Sequence, residues 1–146
     1  MTCVAWDGTT LAADRRALVG GVIRTTTKIH RVGDSLVAFS GDAAMGRELV
    51  EWYERGAKPE EFPEQQREKD KSRLLAIGPR KEIWVYEDGP YPILFEDEFF
   101  AIGSGRDYAL AAMHLGCNAV QAVEVAAVFS SECGNGFDVL VHAGKQ

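Results

Sequence analysis

The first 40 residues alternate short apolar runs with glycine-containing turns, a spacing that suits antiparallel hairpins and little else. Thr2–Trp6 is one run, Asp7-Gly8 a turn signal, and Thr9–Ala13 a second run. Asp-Gly between two such runs marks a hairpin, because both residue types tolerate positive φ. Gly20-Gly21 marks another turn, and Ile23–Thr27 is rich in β-branched residues. Lys28–Val32 reads as a strand, Gly33-Asp34 as a tight turn and Ser35–Ser40 as the antiparallel partner. A chain that opens this way commits its N-terminus to a sheet.

Helical signals begin after Ser40-Gly41. Asp42 can cap a helix over Ala43–Arg55, with Met45, Leu49, Trp52 and Tyr53 forming one apolar stripe, and Gly56 stops it. Lys58–Lys71 is charged and carries Pro59 and Pro63, so it holds at most a short polar helix after Pro63. Leu74–Ile77, Gly78-Pro79 and Glu82–Tyr86 make a second hairpin, and Pro90–Phe95 and Phe99–Ile102 are further strands. Gly103-Ser104-Gly105 leads to a helix over Asp107–Leu115, and Asn118 caps a helix over Ala119–Phe129, which is apolar on most faces and expected to pack between layers. Phe137–His142 closes the chain as a strand after Gly134-Asn135-Gly136. Strands in hairpins and helices in blocks predict an α+β fold with antiparallel sheets.

Composition narrows the function. At 146 residues, 1–146 reads as a single domain with a core of its own. The net charge of −6 and the lack of a basic stripe argue against nucleic acid. The longest apolar stretch, around Ala119–Phe129, is interrupted by Gln121 and Glu124 and is too short to span a membrane. The opening has neither a basic n-region nor a signal h-region, and Cys3, Cys117 and Cys133 are an odd, unrelated set of thiols; together these point to the cytoplasm. No cofactor is expected: Gly103-x-Gly105 has Tyr108 at the third glycine position, and no Walker-type loop or G-x-S-x-G elbow occurs. No metal is expected either, since His30, His114 and His142 are scattered and His114 with Cys117 is a lone pair.

The N-terminus remains. Thr2 is a small second residue that permits removal of Met1, which would put a free α-amine beside the Thr2 hydroxyl. Such an amine titrates at about 7.7–8.0 and can serve as a base for that weak nucleophile. Asp14 and Lys28 stand at the ends of strands expected to flank the first, within reach of Thr2. A buried Lys28 cation would depress a nearby amine and favour an alkoxide, with Asp14 orienting it. On spacing alone, a turn-capping Asp14 and a solvated Lys28 at a strand end are the plainer reading.

These residues carry a resemblance. Thr2-Cys3-Val4-Ala5, Asp7-Gly8 and Leu11-Ala12-Ala13-Asp14-Arg15-Arg16-Ala17 are similar to the opening of proteasome β-type subunits and bacterial HslV-type peptidases. Lys28–Asp34 with Phe39-Ser40-Gly41-Asp42-Ala43, and Phe100–Ala109 around Gly103-Ser104-Gly105, resemble later blocks of that family in the same order. The resemblance is to a short bacterial or phage-like member. It implies a four-layer α-β-β-α N-terminal-nucleophile (Ntn) hydrolase sandwich with two antiparallel sheets. It also implies a threonine endopeptidase cleaving peptides or unfolded proteins, a homo-oligomeric ring, and an ATP-dependent unfoldase as partner. Thr2 would be the nucleophile, Lys28 and Asp14 would tune its amine, the Gly41 N–H would supply the oxyanion hole, and Ser104 would bond near the amine. Ala17, Thr26, Phe39 and Ala43 would line the pocket for the residue before the scissile bond.

Three departures qualify that picture. Where the family places an aspartate and a serine before a Gly-Gly pair, this chain has Ser130 and Cys133, with Glu132 between them as a substitute. The family's second long helix is reduced to Lys58–Lys71. While Met1 remains attached, Thr2 is an amide without a basic amine. A catalytically inactive proteasome-like shell or assembly subunit is therefore the alternative expectation. A cysteine amidase of the same fold, using Cys3 or Cys133, is a third.

Overall fold

The computed structural model describes residues 2–64 and 72–144. The opening hairpin pairs β1 (Val4–Trp6) with β2 (Thr10–Asp14), and a second pairs β3 (Arg16–Val19) with β4 (Val22–Thr25). Strands β5 (Ile29–Val32) and β6 (Ser35–Ser40) precede helix α1 (Ala43–Glu54). Then come β7 (Arg73–Ile77), β8 (Ile83–Tyr86), β9 (Ile93–Phe95) and β10 (Phe100–Ile102). Helices α2 (Arg106–His114) and α3 (Ala119–Phe129) and strand β11 (Phe137–Val141) complete the chain. One sheet runs β10-β1-β2-β11, another β5-β6-β7-β8-β9, and β3-β4 stands apart as a two-stranded ladder.

Side-chain alternation sorts these elements into layers. Cys3, Ala5, Ala12 and Ala101 face α2 and α3, which answer with Ala109, Ala112, Ala119, Ala122 and Ala126. Small residues on both sides let the helices lie close to the sheet. Val4, Trp6, Leu11 and Ile102 point the other way and meet Leu36, Leu75, Ile77 and Ile83 in the core between the sheets. The far side of the second sheet, with Val37, Phe39, Leu74 and Tyr86, packs on Leu49, Val50 and Trp52 of α1. The result is α-β-β-α, with N-terminal strand β1 inside one sheet between β10 and β2. Truncating a residue such as Leu11 or Leu75 to alanine would cost about 2–5 kcal/mol.

Several expectations need adjusting. Asp7 does not adopt positive φ; only Gly8 does, at +99°. The register Trp6↔Leu11 leaves a longer loop, in which the Asp7 carboxylate accepts the N–H groups of Thr9 and Thr10 at 2.9 and 2.8 Å and of Ala119 at 2.9 Å. Strand β3 has no counterpart in the sequence reading. It forms because Gly20 and Gly21, both at positive φ (+55° and +82°), close a two-residue turn between Val19 and Val22. Before Pro63 the chain makes a single 3₁₀ turn at Pro59–Glu61, and Phe62 packs edge-on against Trp52 with ring centroids 4.9 Å apart. The expected segment continues into residues 65–71, which lie outside the described residues. Helix α3 is not sandwiched between layers, because Val128 and Phe129 are 75% and 67% exposed. Among the described residues, no helix is long and apolar enough to cross a membrane.

Candidate active site

Asp14 ends β2 fully buried, and its carboxylate takes four bonds. Oδ1 accepts the Cys3 N–H and the Lys28 Nζ, each at 2.9 Å. Oδ2 accepts the N–H groups of Arg16 at 3.2 Å and Gly134 at 3.1 Å. Lys28, just ahead of β5, is only 3% exposed. It is thus a buried cation on a buried carboxylate, not a solvated strand end.

Thr2 is buried directly before β1. Its nitrogen donates to Ser104 Oγ at 3.1 Å, and its carbonyl accepts the Gly105 N–H at 3.0 Å. The Gly-Ser-Gly turn is shaped for this contact. Gly103 sits at φ +96° with its Cα against the Thr2 carbonyl, where a Cβ would overlap it. A Cβ on Gly105 would stand 2.8 Å from Cys3 Cβ, 3.0 Å from Cys133 Sγ and 3.1 Å from Ala126 Cβ.

Thr2 and Lys28 open onto one cavity of about 350 Å³. Gly41, at φ +96°, contributes to its wall, as do Ala17, Thr26, Phe39 and Ala43. The structure therefore brings all four expected pocket residues together with three of the expected catalytic ones. Asp14 joins them from behind through Lys28, and Ser104 through Thr2. The Phe39 ring also lies against Gly46 of α1, where any Cβ would overlap it. Arg16, Leu18, Val19, Gly20 and Asp42 complete the wall. The β3–β4 hairpin that supplies most of these escaped the sequence reading; the Gly20-Gly21 pair was its signal.

The segment between α3 and β11 also belongs to the site. Arg16 Nη1 donates to the Ser131 carbonyl at 2.7 Å and Arg16 Nε to Asn135 Oδ1 at 3.1 Å. Asn135 Nδ2 in turn donates to the Arg24 carbonyl and Thr25 Oγ1, at 3.0 and 2.8 Å. Arg16 and Asn135 were not singled out in the sequence, although Gly134-Asn135-Gly136 flagged the break. Ser130 Oγ accepts the Glu132 N–H at 3.3 Å. Cys133 is buried beside Cys3. Burial raises both thiols above the ordinary cysteine range, which suits packing and not nucleophilic attack. A hydrogen bond from the Ser104 hydroxyl holds the Glu132 carboxyl below the usual carboxylate range. Among the described residues, no group of three or more His, Cys, Asp or Glu could hold a metal ion.

No family model matches this chain, and no curated protein does. Solved structures do. The BPH of Thiobacillus denitrificans in complex with epoxomicin is 26% identical, with a TM-score of 0.73 over 97% of both chains. A second structure of Thiobacillus denitrificans BPH is 24% identical, with a TM-score of 0.70 over 96% of both chains. Eukaryotic HslV from Trypanosoma brucei is 22% identical, with a TM-score of 0.71 over 97% of this chain and 98% of that one. Each match runs over nearly the whole chain at a TM-score of 0.70 to 0.73. The chain has the fold of these proteasome-type, HslV-like structures, that of the Ntn hydrolases.

Proposed function

We propose that the chain is a threonine endopeptidase whose nucleophile is Thr2, exposed by loss of Met1. The observation that carries this reading is the buried Lys28 cation, held by Asp14 and sharing a cavity with Thr2. A fold gains little from a buried lysine, whereas an amine that must be neutral near pH 7 gains from a fixed neighbouring cation. The epoxomicin bound to the Thiobacillus denitrificans relative adds support for a peptidase.

In this mechanism the Thr2 amine takes the hydroxyl proton as Thr2 Oγ attacks the scissile carbonyl. The developing oxyanion lies at the Gly41 N–H, a donor of a kind worth roughly 2.7–4 kcal/mol when preorganised. The amine returns its proton to the leaving group, and water then hydrolyses the ester on Thr2. Ala17, Thr26, Phe39 and Ala43 hold the side chain before the scissile bond. The substrate is a peptide or unfolded protein, and the working form is a homo-oligomeric ring in the cytoplasm, fed by an ATP-dependent unfoldase.

Intact mass comes first: the proposal expects a chain lacking Met1. The protein is then treated with a peptide epoxide or boronate, beside a Thr2→Ala control. One adduct per chain that disappears in Thr2→Ala is the expected result. Full retention of Met1, or no Thr2-dependent adduct on Met-free protein, would refute the enzyme in favour of a silent shell subunit.

A further inference from the structure

Thr2 stands between two cavities, and the order of the strands fixes their sides. In the first sheet β1 has β2 on one flank and β10 on the other. In the second sheet β5 packs beneath β2 and β11, whereas β9 meets β10 through the rings of Phe95 and Phe100. The cavity already described takes its wall from the β3–β4 hairpin and the end of β6, on the β2 flank. A second cavity, of about 230 Å³, takes its wall from β7, β8, β9 and β10, on the β10 flank. Both open at the same end of the sandwich, because Val4 pairs with Ile102 at the start of β1 and Ser40 pairs with Arg73 beside Gly41. Gly103 joins them: it lines the second cavity, and its Cα lies against the Thr2 carbonyl.

The second cavity has an apolar floor, where Phe95 and Phe100 stack at 4.9 Å beside Val85. Its side is a free sheet edge. Phe100, Ala101 and Ile102 all line it, although Ala101 sends its side chain to the helix layer, so the main chain of β10 faces the space. Among the described residues β10 pairs with β1 alone, which leaves an edge of the kind to which an extended peptide adds. The rim is cationic: Arg73 and Arg106 stand against one carboxylate of the wall, Glu87. Arg73 Nε lies 3.5 Å from Glu87 Oε1, and Arg106 Nη1 donates to the Gly103 carbonyl at 3.1 Å. Asp107, outside the wall, lies 3.8 Å from Arg106 Nε. A guanidinium carries five N–H groups in a fork that suits a carboxylate, and these contacts leave donors on both arginines for another.

We propose that the second cavity is a subsite for the peptide segment that follows the scissile bond, and that it selects an acidic side chain there through Arg73 and Arg106. This rests on Thr2 as the nucleophile. With the residue before the scissile bond in the first cavity, the peptide crosses Thr2 toward the β10 flank. There it extends along the β10 edge, with apolar side-chain atoms on Phe95 and Phe100 and a carboxylate on the guanidiniums. Arg73 and Arg106 touch the leaving segment alone, so they set specificity and take no part in the chemistry.

The test measures binding to Thr2→Ala protein, which needs no peptidase activity. The probes are fluorophore-labelled peptides, amidated at the C-terminus, with leucine before the scissile bond and either glutamate or glutamine at the two positions after it. Fluorescence anisotropy should give a Kd about three- to tenfold lower for the glutamate peptide, a gap that narrows with added salt. Arg73→Gln combined with Arg106→Gln should abolish the gap and leave the Tm within about 2 °C, since both side chains are exposed. With Thr2 present, kcat/KM should show the same preference. Equal affinity for the two peptides, or a glutamate preference that survives the double variant, overturns the subsite. Thr2-dependent labelling together with equal affinities condemns the subsite alone. A glutamate preference lost in the double variant upholds the acidic-peptide site even where labelling fails, an outcome that instead refutes the peptidase.

Discussion

Replacing Asp14 by asparagine tests the centre of the site most directly. The substitution keeps the shape and one oxygen but removes the charge facing Lys28 Nζ at 2.9 Å. It also turns an NH₂ group toward N–H donors, because one of the two carboxylate oxygens takes Cys3 N–H and Lys28 and the other takes Arg16 and Gly134 N–H. Breaking a buried ion pair from one side costs about 3–5 kcal/mol, because the remaining charge stays desolvated. With a urea m-value of about 2 kcal/mol/M, the unfolding midpoint should fall by roughly 1.5–2.5 M. Lys28→Met should cost less, about 1–3 kcal/mol, since Asp14 keeps three N–H donors. The double variant should then be more stable than the sum of the singles predicts, by about 1–3 kcal/mol. Urea denaturation followed by tryptophan fluorescence reads all three, with Trp6 and Trp52 buried in separate cores. A midpoint shift under about 0.3 M for Asp14→Asn, or strict additivity, would refute the account of a coupled buried pair.

Three further outcomes follow from other parts of the molecule. Burial alone would raise the Asp7 pKa, but the N–H groups of Ala119, Thr10 and Thr9 outweigh it and the folded value lies below the ordinary one. A depressed folded pKa gives stability that is present above the unfolded value and lost as pH falls through the folded one. Asp7→Asn should therefore be destabilised against wild type at pH 7, with the gap closing as pH falls below the ordinary aspartate range in parallel urea titrations; a gap that widens with acid would contradict this. Gly105→Ala places a methyl within 2.8–3.1 Å of Cys3, Cys133 and Ala126 and should cost about 1–3 kcal/mol by thermal denaturation, where an unchanged Tm would show that the turn yields. Alkylation of the native protein should reach Cys117 first, since Cys3 and Cys133 are buried with raised pKa values; equal rates at all three sites by peptide mapping would contradict the packing described.

Much of this fold could be read from local signals. Asp42 caps α1 through the Met45 N–H at 2.8 Å, and Asn118 with Gln121 forms a capping box at α3. Both follow from residue type and spacing. The layers were less legible, because Ala12 and Leu11 differ only in which side they face, and facing is decided by partners far away in the chain. The same applies to the site. Thr2, Asp14, Lys28 and Ser104 were singled out by residue type and resemblance. The Arg16 clamp and the Gly134 bond to Asp14 connect residues about 120 positions apart, and nothing local announces them. Strand β3 was missed because Arg16–Val19 has no full alternation; its shape comes from the glycine turn beyond it.

The four bonds on Asp14 separate two kinds of evolutionary pressure. Three of them go to backbone N–H groups and hold the ends of three chain segments in register. A descendant that had abandoned proteolysis would still keep this aspartate, since losing it would unfasten the sheet. Lys28 brings its charge to the site, and a methionine of similar length would fill its place at less electrostatic expense. Drift after loss of activity should therefore erase the lysine first and leave the aspartate standing. In related chains, an Asp14 equivalent without its lysine would mark a retired enzyme, and the pair together a working one.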